Sequence, residues 1–505
     1  MNQLFYGDNL EVLQQHIGDE TVDLCYVDPP FNSNRNYNQI YNNIGKERPE
    51  GDGRNKDDIA QSQAFVDTWE WGLPAEELLD LLRKDQRYTR KLVDTILGFE
   101  KILGKGAMLA YLVNMAVRFE EIRRVLKPTG SFYAHCDSTA SHYLKIILDA
   151  VFCDRGGDFR NEIIWCYRGA GYPKKDLGRR HDTVFRYAKS SNFTFNVDAI
   201  RTEYAEATKE RFKHYIGNVR KGRNFGQQKL NKLGKHPDDW WEIQPIAPSA
   251  RERLGYATQK PLALLERIIK ASSNEGDVVL DAFCGCGTTV DAAHSLGRKW
   301  IGIDITYNAV SLILKRLKDR YGNDIERQIQ LSGIPRDLDA AKALAHKKDD
   351  RLRKEFEKWA ILTYTDNHAK INDKKGSDRG MDGVAYILGG TALFSVKSGN
   401  ITVKDIRDFR TVIEREQASA GIFLTLHEPT KAMLQEASVF GTLVDPPGLR
   451  LPKKIQKLQI VTIQEMLDGA RMNLPLAEAV VKSAKRYKNQ GNDQQFDFEK
   501  SQSPH

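Results

Sequence analysis

The apolar positions of this chain fall into short strand-like runs that alternate with stretches of helical spacing. Residues 22–31, VDLCYVDPPF, read as an apolar strand that stops at Asp-Pro-Pro, because proline offers no N–H to a ladder. GSFYAHCD (130–137) reads as a second strand, preceded by a helix over 115–127 that Lys127-Pro128-Thr129-Gly130 ends. Between them, residues 32–107 are polar and rich in Gly and Asn at first, then helical, which is long for a connection and predicts a mobile or substrate-contacting excursion. TQKPLALLERIIKASS (258–273) has helical spacing and is followed by a strand at 277–282, a Gly-rich turn, a helix at 288–296 and a strand at 299–304. That order predicts a parallel βαβ unit with a right-handed crossover, so the fold class is α/β with a first domain over 1–320. A charged helical stretch from about 308 to 350 predicts a linker at 321–350, then a second α/β pattern at 351–470 and a polar tail at 471–505.

Length agrees with more than one core, since 505 residues exceed what one ordinary domain holds. With 40% hydrophobic and 29% charged residues the chain is of globular rather than disordered type. Apolar runs are far shorter than a membrane span, and MNQLFYGDNLEVLQQH has no basic-then-apolar leader, so a cytoplasmic protein with no membrane partner is expected. Six scattered cysteines make neither a disulfide framework nor a zinc site, and Cys284 and Cys286 read as small residues of a turn. The net charge of +8 is concentrated at 160–240, where eighteen Lys and Arg face nine Asp and Glu, leaving the remainder close to neutral. Trp165, Tyr167, Tyr172, Phe225, Trp240 and Trp241 are interleaved there or adjoin it. Such a block is what a polyanion-binding surface needs, although charge alone would equally suit a solvated face.

VVLDAFCGCGTTVDAAHSLGRKWIGIDI (278–305) joins a strand, Asp281, Gly285 and Gly287, a helix and a second strand ending at Asp304. The glycines allow a tight turn and close approach of backbone to a ligand, and Asp304 is placed to accept both hydroxyls of a ribose. The third glycine of a dinucleotide turn is replaced by Val290, which disfavours pyrophosphate and favours an adenosine with a charged amino-acid tail. Asp28-Pro29-Pro30-Phe31 lies just past a strand, where open α/β sheets bind ligands. The prolines fix the backbone so that the Asp28 carboxylate and the Pro29 carbonyl converge on an amino group with two hydrogens, and Phe31 offers a face for a base.

In order, GDNLEVL (7–13), DPPF (28–31), a basic insertion, TQKP (258–261), DAFCGCGTT (281–289) and IGID (301–304) resemble the DNA amino-methyltransferases in which the catalytic motif precedes the cofactor motif. NEIIW (161–165) and HDTVFRYAKS (181–190) are similar to segments of Type III modification enzymes. The resemblance covers about residues 1–320. It implies a Rossmann-like sheet that binds S-adenosylmethionine, with an inserted target-recognition region at about 160–240 acting on double-stranded DNA. It places Asp8 at the cofactor adenine, Thr258 and Lys260 near the cofactor, Asp281, Phe283, Gly285 and Gly287 around its methionine part, and Asp304 at the ribose. It also implies that the base is flipped into the pocket, where Asp28 and the Pro29 carbonyl draw the amino lone pair out of conjugation for in-line attack on the methyl carbon. Asp before Pro-Pro favours N6 of adenine, with N4 of cytosine as the alternative target. Many members carry Pro at 282 and Ser at 286, where this chain has Ala and Cys, both small enough to leave the turn intact.

Within 351–470, GSDRGMDGVAYILGGTALFSVKSG (376–399) and the helical KEFEKWAIL resemble the PD-(D/E)xK fold of Mrr-type restriction endonucleases. The resemblance implies Mg²⁺ held through Glu357 and Asp382, with Lys397 beside the attacking water. Asp378 competes with Asp382, and GMDG favours the latter. Ser395 stands two before Lys397, where the family has Glu or Gln, so an active nuclease, a non-cutting DNA-binding remnant and an unrelated fold with an exposed Lys397 stay open in that order. A homodimer is an open alternative to a monomer.

Overall fold

The computed structural model describes residues 1–30, 36–40, 61–66, 69–169, 173–214, 217–247, 249–256, 258–346, 350–372, 380–388, 390–443 and 454–475. Nine strands make the larger sheet: β1 (Asn2–Tyr6), β2 (Val22–Val27), β3 (Leu126–Cys136), β4 (Asp158–Cys166), β5 (His181–Ala188), β6 (Trp240–Glu242), β7 (Val278–Asp281), β8 (Lys299–Asp304) and β9 (Ile329–Ser332). Their order is β6-β4-β5-β3-β2-β7-β8-β1-β9. Only β5 runs against its neighbours, β3 and β4. Every residue of β2 is buried, as expected of a central parallel strand covered by helices on both faces.

The βαβ unit forms as read: β7, helix α5 (Thr288–Ser295) and β8, with Val278 opposite Lys299 and Asp281 opposite Gly302. On its other side β7 lies parallel to β2, pairing Leu280 with Cys25. The loops after β2, β7 and β8 therefore leave one edge of the sheet together. Helix α1 (Asn9–His16) follows β1, α2 (Ala107–Val125) precedes β3, α4 (Leu262–Ser272) precedes β7, and α6 (Tyr307–Tyr321) follows β8; α3 (Ser141–Phe152) packs beside α2.

Three expectations are corrected. Lys127–Gly130 does not separate helix from strand: β3 begins at Leu126, and its register against β2 jumps from Val22–Leu126 to Leu24–Ser131, so these residues are a bulge in the strand. Residues 321–350 are not a purely helical linker. After a short 3₁₀ turn at Asn323–Gln328, β9 adds to the edge of β1, with Asn2 opposite Ile329; only then comes helix α7 (Leu338–Ala345). Four residues are too few for a period-2 signal to show between helical flanks. Nor is 160–240 one insertion, since β4 and β5 are framework strands and Trp165 and Trp241 belong to the core. Among its aromatics Phe225 and Trp240 are exposed, while Tyr172 lies outside the described residues.

The second sheet contains β10 (Ala369–Ile371), β11 (Gly383–Ile387), β12 (Gly390–Lys397), β13 (Ala420–Thr425) and β14 (Leu458–Thr462), in sequential order. β10, β11 and β12 are antiparallel and β12, β13 and β14 parallel, with helix α9 (Val403–Arg415) crossing between β12 and β13. Helix α8 (Asp350–Tyr364) joins the two sheets, because Phe356 and Trp359 bury themselves in the same apolar core as Val310 and Ile313 of α6. No described helix is long and apolar enough to cross a membrane.

Candidate active site

Asp28 leaves the carboxyl end of β2, with Pro29 buried behind it. Its Oδ2 receives Lys260 Nζ, so the lysine expected near the cofactor is seated on the DPPF carboxylate. Its Oδ1 is buried and has no hydrogen-bond partner. His135 Nδ1 lies 3.3 Å from that oxygen but makes its hydrogen bond with Tyr26 Oη at 3.1 Å. The far nitrogen of His135 faces Asp182 Oδ2 at 3.4 Å, at the start of β5. Burial works to raise the Asp182 carboxyl, but the adjacent His135 ring, together with Lys260 and His181, outweighs it and holds the group below its ordinary value. His135 itself is fully buried, with its ring edge-on to Trp165. Phe31 lies outside the described residues.

The loop carrying Thr258 and Lys260 is locked from within. Gln259 accepts from Leu254 N–H and donates to the Glu252 carbonyl, and Glu252 accepts from Leu262 N–H at the start of α4. Thr258 is half-buried, and its carbonyl accepts from Lys260 Nζ at 3.4 Å. Tyr256 in this loop is buried against the Gly-rich turn: a Cβ on Gly285 would stand 3.4 Å from its ring.

At the end of β7, Asp281 is 3% exposed and accepts from Phe283 N–H at 3.0 Å. Burial pushes its carboxyl up to about 7 against hydrogen bonds from Thr289 and Phe283, with the charge of Asp28 adding to the rise. Both Gly285 and Gly287 have positive φ, and a Cβ on Gly287 would meet Ile313 Cγ1 at 2.7 Å, so only glycine lets α5 start against α6. At the tip of β8, Asp304 Oδ2 accepts from Gly285 N–H at 2.9 Å, and Oδ1 from the N–H and hydroxyl of Thr306. Burial pushes Asp304 up to about 6. Asp281, Gly285, Gly287 and Asp304 thus belong to one cluster, as the sequence predicts, with the partly buried Phe283 at its rim.

Asp8 caps α1, accepting from Leu10 N–H at 2.8 Å, and pairs with Arg118 Nη2 at 2.7 Å. Its neighbour Asn9, which sequence reasoning passed over, is buried and donates to the Ala282 carbonyl at 2.7 Å while accepting from Arg118 Nε. Asn9 therefore ties the first loop to the Gly-rich turn. Also missed were Arg118, His135, Asp182 and Tyr256. A charged or histidine side chain closing an otherwise apolar strand, as in AHCD and HDTVF, is the signal that could have found two of them. Arg118 sits in an apolar helix with no such mark.

In the second sheet Asp382 immediately precedes β11, and Lys397 ends the neighbouring strand β12. Asp382 Oδ2 accepts from Val396 N–H at 2.7 Å, one residue before Lys397, which is exposed at the end of β12. Ser395 is buried. Glu357 is half-buried on α8, and Asp378 lies outside the described residues. Among the described residues no group of three or more His, Cys, Asp or Glu side chains is arranged to hold a metal. That donor set is thin for Mg²⁺.

A sheet with one reversed strand and its ligand loops gathered at a single edge defines an α/β methyltransferase fold. A DNA methylase family model matches residues 22–315, and the chain belongs to the N6/N4 DNA methylase family. A restriction endonuclease model matches residues 352–445, so an endonuclease-like domain follows the methyltransferase. The chain is 30% identical over 256 residues to the Type II methyltransferase M.HpaI of Haemophilus parainfluenzae, covering 50% of this chain and 72% of that protein. It is 26% identical over 351 residues to the DNA adenine methyltransferase YhdJ of Escherichia coli, covering 66% of this chain and 94% of the relative. Among solved structures, the M1.HpyAVI–SAM complex is similar at 16% identity and a TM-score of 0.33, covering 63% of this chain and 99% of that one.

Proposed function

We propose that this DNA methyltransferase transfers a methyl group from S-adenosylmethionine to the N6 amino group of adenine within a specific double-stranded site. The observation that carries this reading is Asp28 Oδ1, a buried carboxylate oxygen without a hydrogen-bond partner, on the loop beside the one that carries Asp281. An amino group turned out of the duplex supplies the missing donor. Lys260 holds the other oxygen and fixes the carboxylate plane, and the Pro29 carbonyl takes the second amino hydrogen. S-adenosylmethionine supplies an electrophilic methyl on a sulfonium. Asp281 and Asp304 suit it because both are buried acids whose hydrogen-bonding partners, Phe283, Thr289, Gly285 and Thr306, are neutral; an ammonium and a ribose diol would complete them. Adenine is the preferred target because Asp stands before Pro-Pro, and the adenine methyltransferase among the relatives agrees. Asp8, Thr258, Phe283, Gly285 and Gly287 complete the donor side in this reading. The exposed basic face between β5 and β6, with Phe225 and Trp240, contacts phosphates and bases.

The test is to incubate the protein with labelled S-adenosylmethionine and unmethylated genomic DNA, digest the product and identify the modified nucleoside by mass spectrometry. N6-methyladenine is expected; N4-methylcytosine reverses the choice of base, and an unlabelled digest removes the reading. Adding Mg²⁺ to the same incubation, with Lys397→Ala alongside, tests cleavage. Cutting that disappears in the variant assigns a nuclease to the second domain, and uncut DNA removes the nuclease reading.

Titration gives a further expectation. Both acids have raised values in the fold, so their contribution to stability is fully present at low pH and withdrawn as pH rises through about 6 to 7. Ligand binding has the opposite sign, because the ammonium and the diol need the ionised forms. Affinity for S-adenosylmethionine should fall below pH 7 by up to about tenfold per pH unit for each group protonated, with proton release on binding near pH 6.5. Calorimetric titrations in two buffers of different ionisation enthalpy measure both, and a flat affinity from pH 8 to 5.5 rules out this role for the two acids.

A further inference from the structure

We propose that the endonuclease-like domain completes the methyl-donor site: Glu355, on its first helix, is a positioning residue for the carboxylate of Asp304. The inference rests on the assignment of Asp304 to the methyl donor made above.

Helix α6 starts at Tyr307, three residues past Asp304, and its first-turn N–H groups need acceptors from outside the helix. The Thr306 hydroxyl takes Ala309 N–H while donating to Asp304 Oδ1, so the helix start and the site carboxylate share one residue. The N–H of Tyr307 goes to Glu355 Oε2 at 2.8 Å, across the boundary between the two domains. Glu355 is 7% exposed, and its other oxygen is held by Lys358 Nζ at 3.0 Å. The same helix α8 grips the far end of Tyr307, whose hydroxyl lies 2.8 Å from that of Thr363. The Tyr307 ring stands edge-on to Tyr6, which is itself opposite Asp304 in the β1–β8 ladder. One helix of the second domain thus fixes both ends of the residue that opens α6.

A buried carboxylate is a costly way to glue two domains, and an apolar pair would serve packing better. At the first residue of a helix it has a specific use, since it supplies a missing acceptor and complements the positive end of the dipole. Its charge also reaches the site, because Glu355 adds to the burial that raises the Asp304 carboxyl. A residue that served packing alone would leave the titration of Asp304 unmoved.

The experiment measures binding of S-adenosylmethionine by calorimetry from pH 8 to 5.5, without DNA, on the full chain and on Glu355→Ala and Glu355→Gln. Glu355→Ala should weaken binding about fivefold at pH 8, the effect of losing a helix-capping acceptor, while turnover at saturating methyl donor stays within about twofold. Glu355→Gln keeps an acceptor for Tyr307 N–H but loses the charge. It should bind within about twofold of wild type at pH 8 and move the acid limb of the affinity curve to lower pH. Affinity curves for both variants that superimpose on wild type, whatever happens to their melting temperatures, overturn the proposal. Asp304→Asn separates the two levels. If it binds like wild type, the parent assignment of Asp304 fails; if it loses binding while both Glu355 variants retain it, only the present inference fails.

Discussion

Asp28→Asn is expected to lower turnover of methyl transfer by roughly 10²–10³-fold while leaving the affinity for S-adenosylmethionine within about twofold, the range seen when one preorganised polar contact to a reacting centre is removed. The amide has nearly the shape of the carboxylate, so packing around Pro29 is kept, but it presents one acceptor oxygen and no charge. Lys260 would then compete for that oxygen, because its ammonium already sits on the carboxylate. The target amino group would meet an NH₂ and lose the pull on its lone pair. Single-turnover assays with labelled methyl donor and saturating DNA measure the step directly. Unchanged methyl incorporation would remove Asp28 from the reaction, and with it the reading of the DPPF loop.

The second large effect is on folding. Asp291 is fully buried on α5, where Oδ2 accepts from Arg316 Nε at 2.8 Å and Arg320 Nη1 at 2.7 Å, and Oδ1 from Tyr321 Oη at 2.7 Å. Arg316, itself 2% exposed, reaches on to the Cys286 carbonyl and the Thr288 hydroxyl. This cluster pins the Gly-rich turn to α6. Asp291→Ala strands a buried guanidinium, which costs about 3–5 kcal/mol, a large share of the roughly 5–15 kcal/mol that holds an ordinary domain together. Arg316→Met combined with Asp291→Leu removes the fully buried pair, leaves the partly exposed Arg320, and should recover most of the loss. Urea denaturation followed by tryptophan fluorescence checks the ranking. If the double variant is as unstable as Asp291→Ala, the cost lies in packing and the ionic account is wrong.

The parts of this protein that could be read from its sequence are those where one local signal fixes one local structure. The run from Val278 to Asp304 has an apolar strand, two glycines that must take positive φ, a helix and a second strand, and each appears within a residue or so of its expected place. Asp28 is legible because two prolines force the chain out of the sheet beside it. What escaped was set by partners far away in the chain. β9 exists because β1 offers it an edge, and no pattern within IQLS announces that. The basic stretch that holds Trp165 and adjoins Trp241 predicts a surface, yet pairing of β4 with β6 draws both into the core. The TQKP motif gives no sign that Lys260 sits on Asp28; the closed loop at 252–262 brings it there. Asn9, Arg118 and Glu355 act through hydrogen bonds to groups more than forty residues distant, which composition and periodicity do not register.

The place of β1 has a consequence for synthesis. Strand β1 finds its hydrogen-bonding neighbours only at 301–304 and 329–332. At roughly 5–20 residues per second, the opening strand waits about 15–60 s for them, with both its edges unsatisfied. Nascent chains stalled before residue 301 should therefore be held by chaperones rather than folded, and the donor pocket cannot close until β8 has been made.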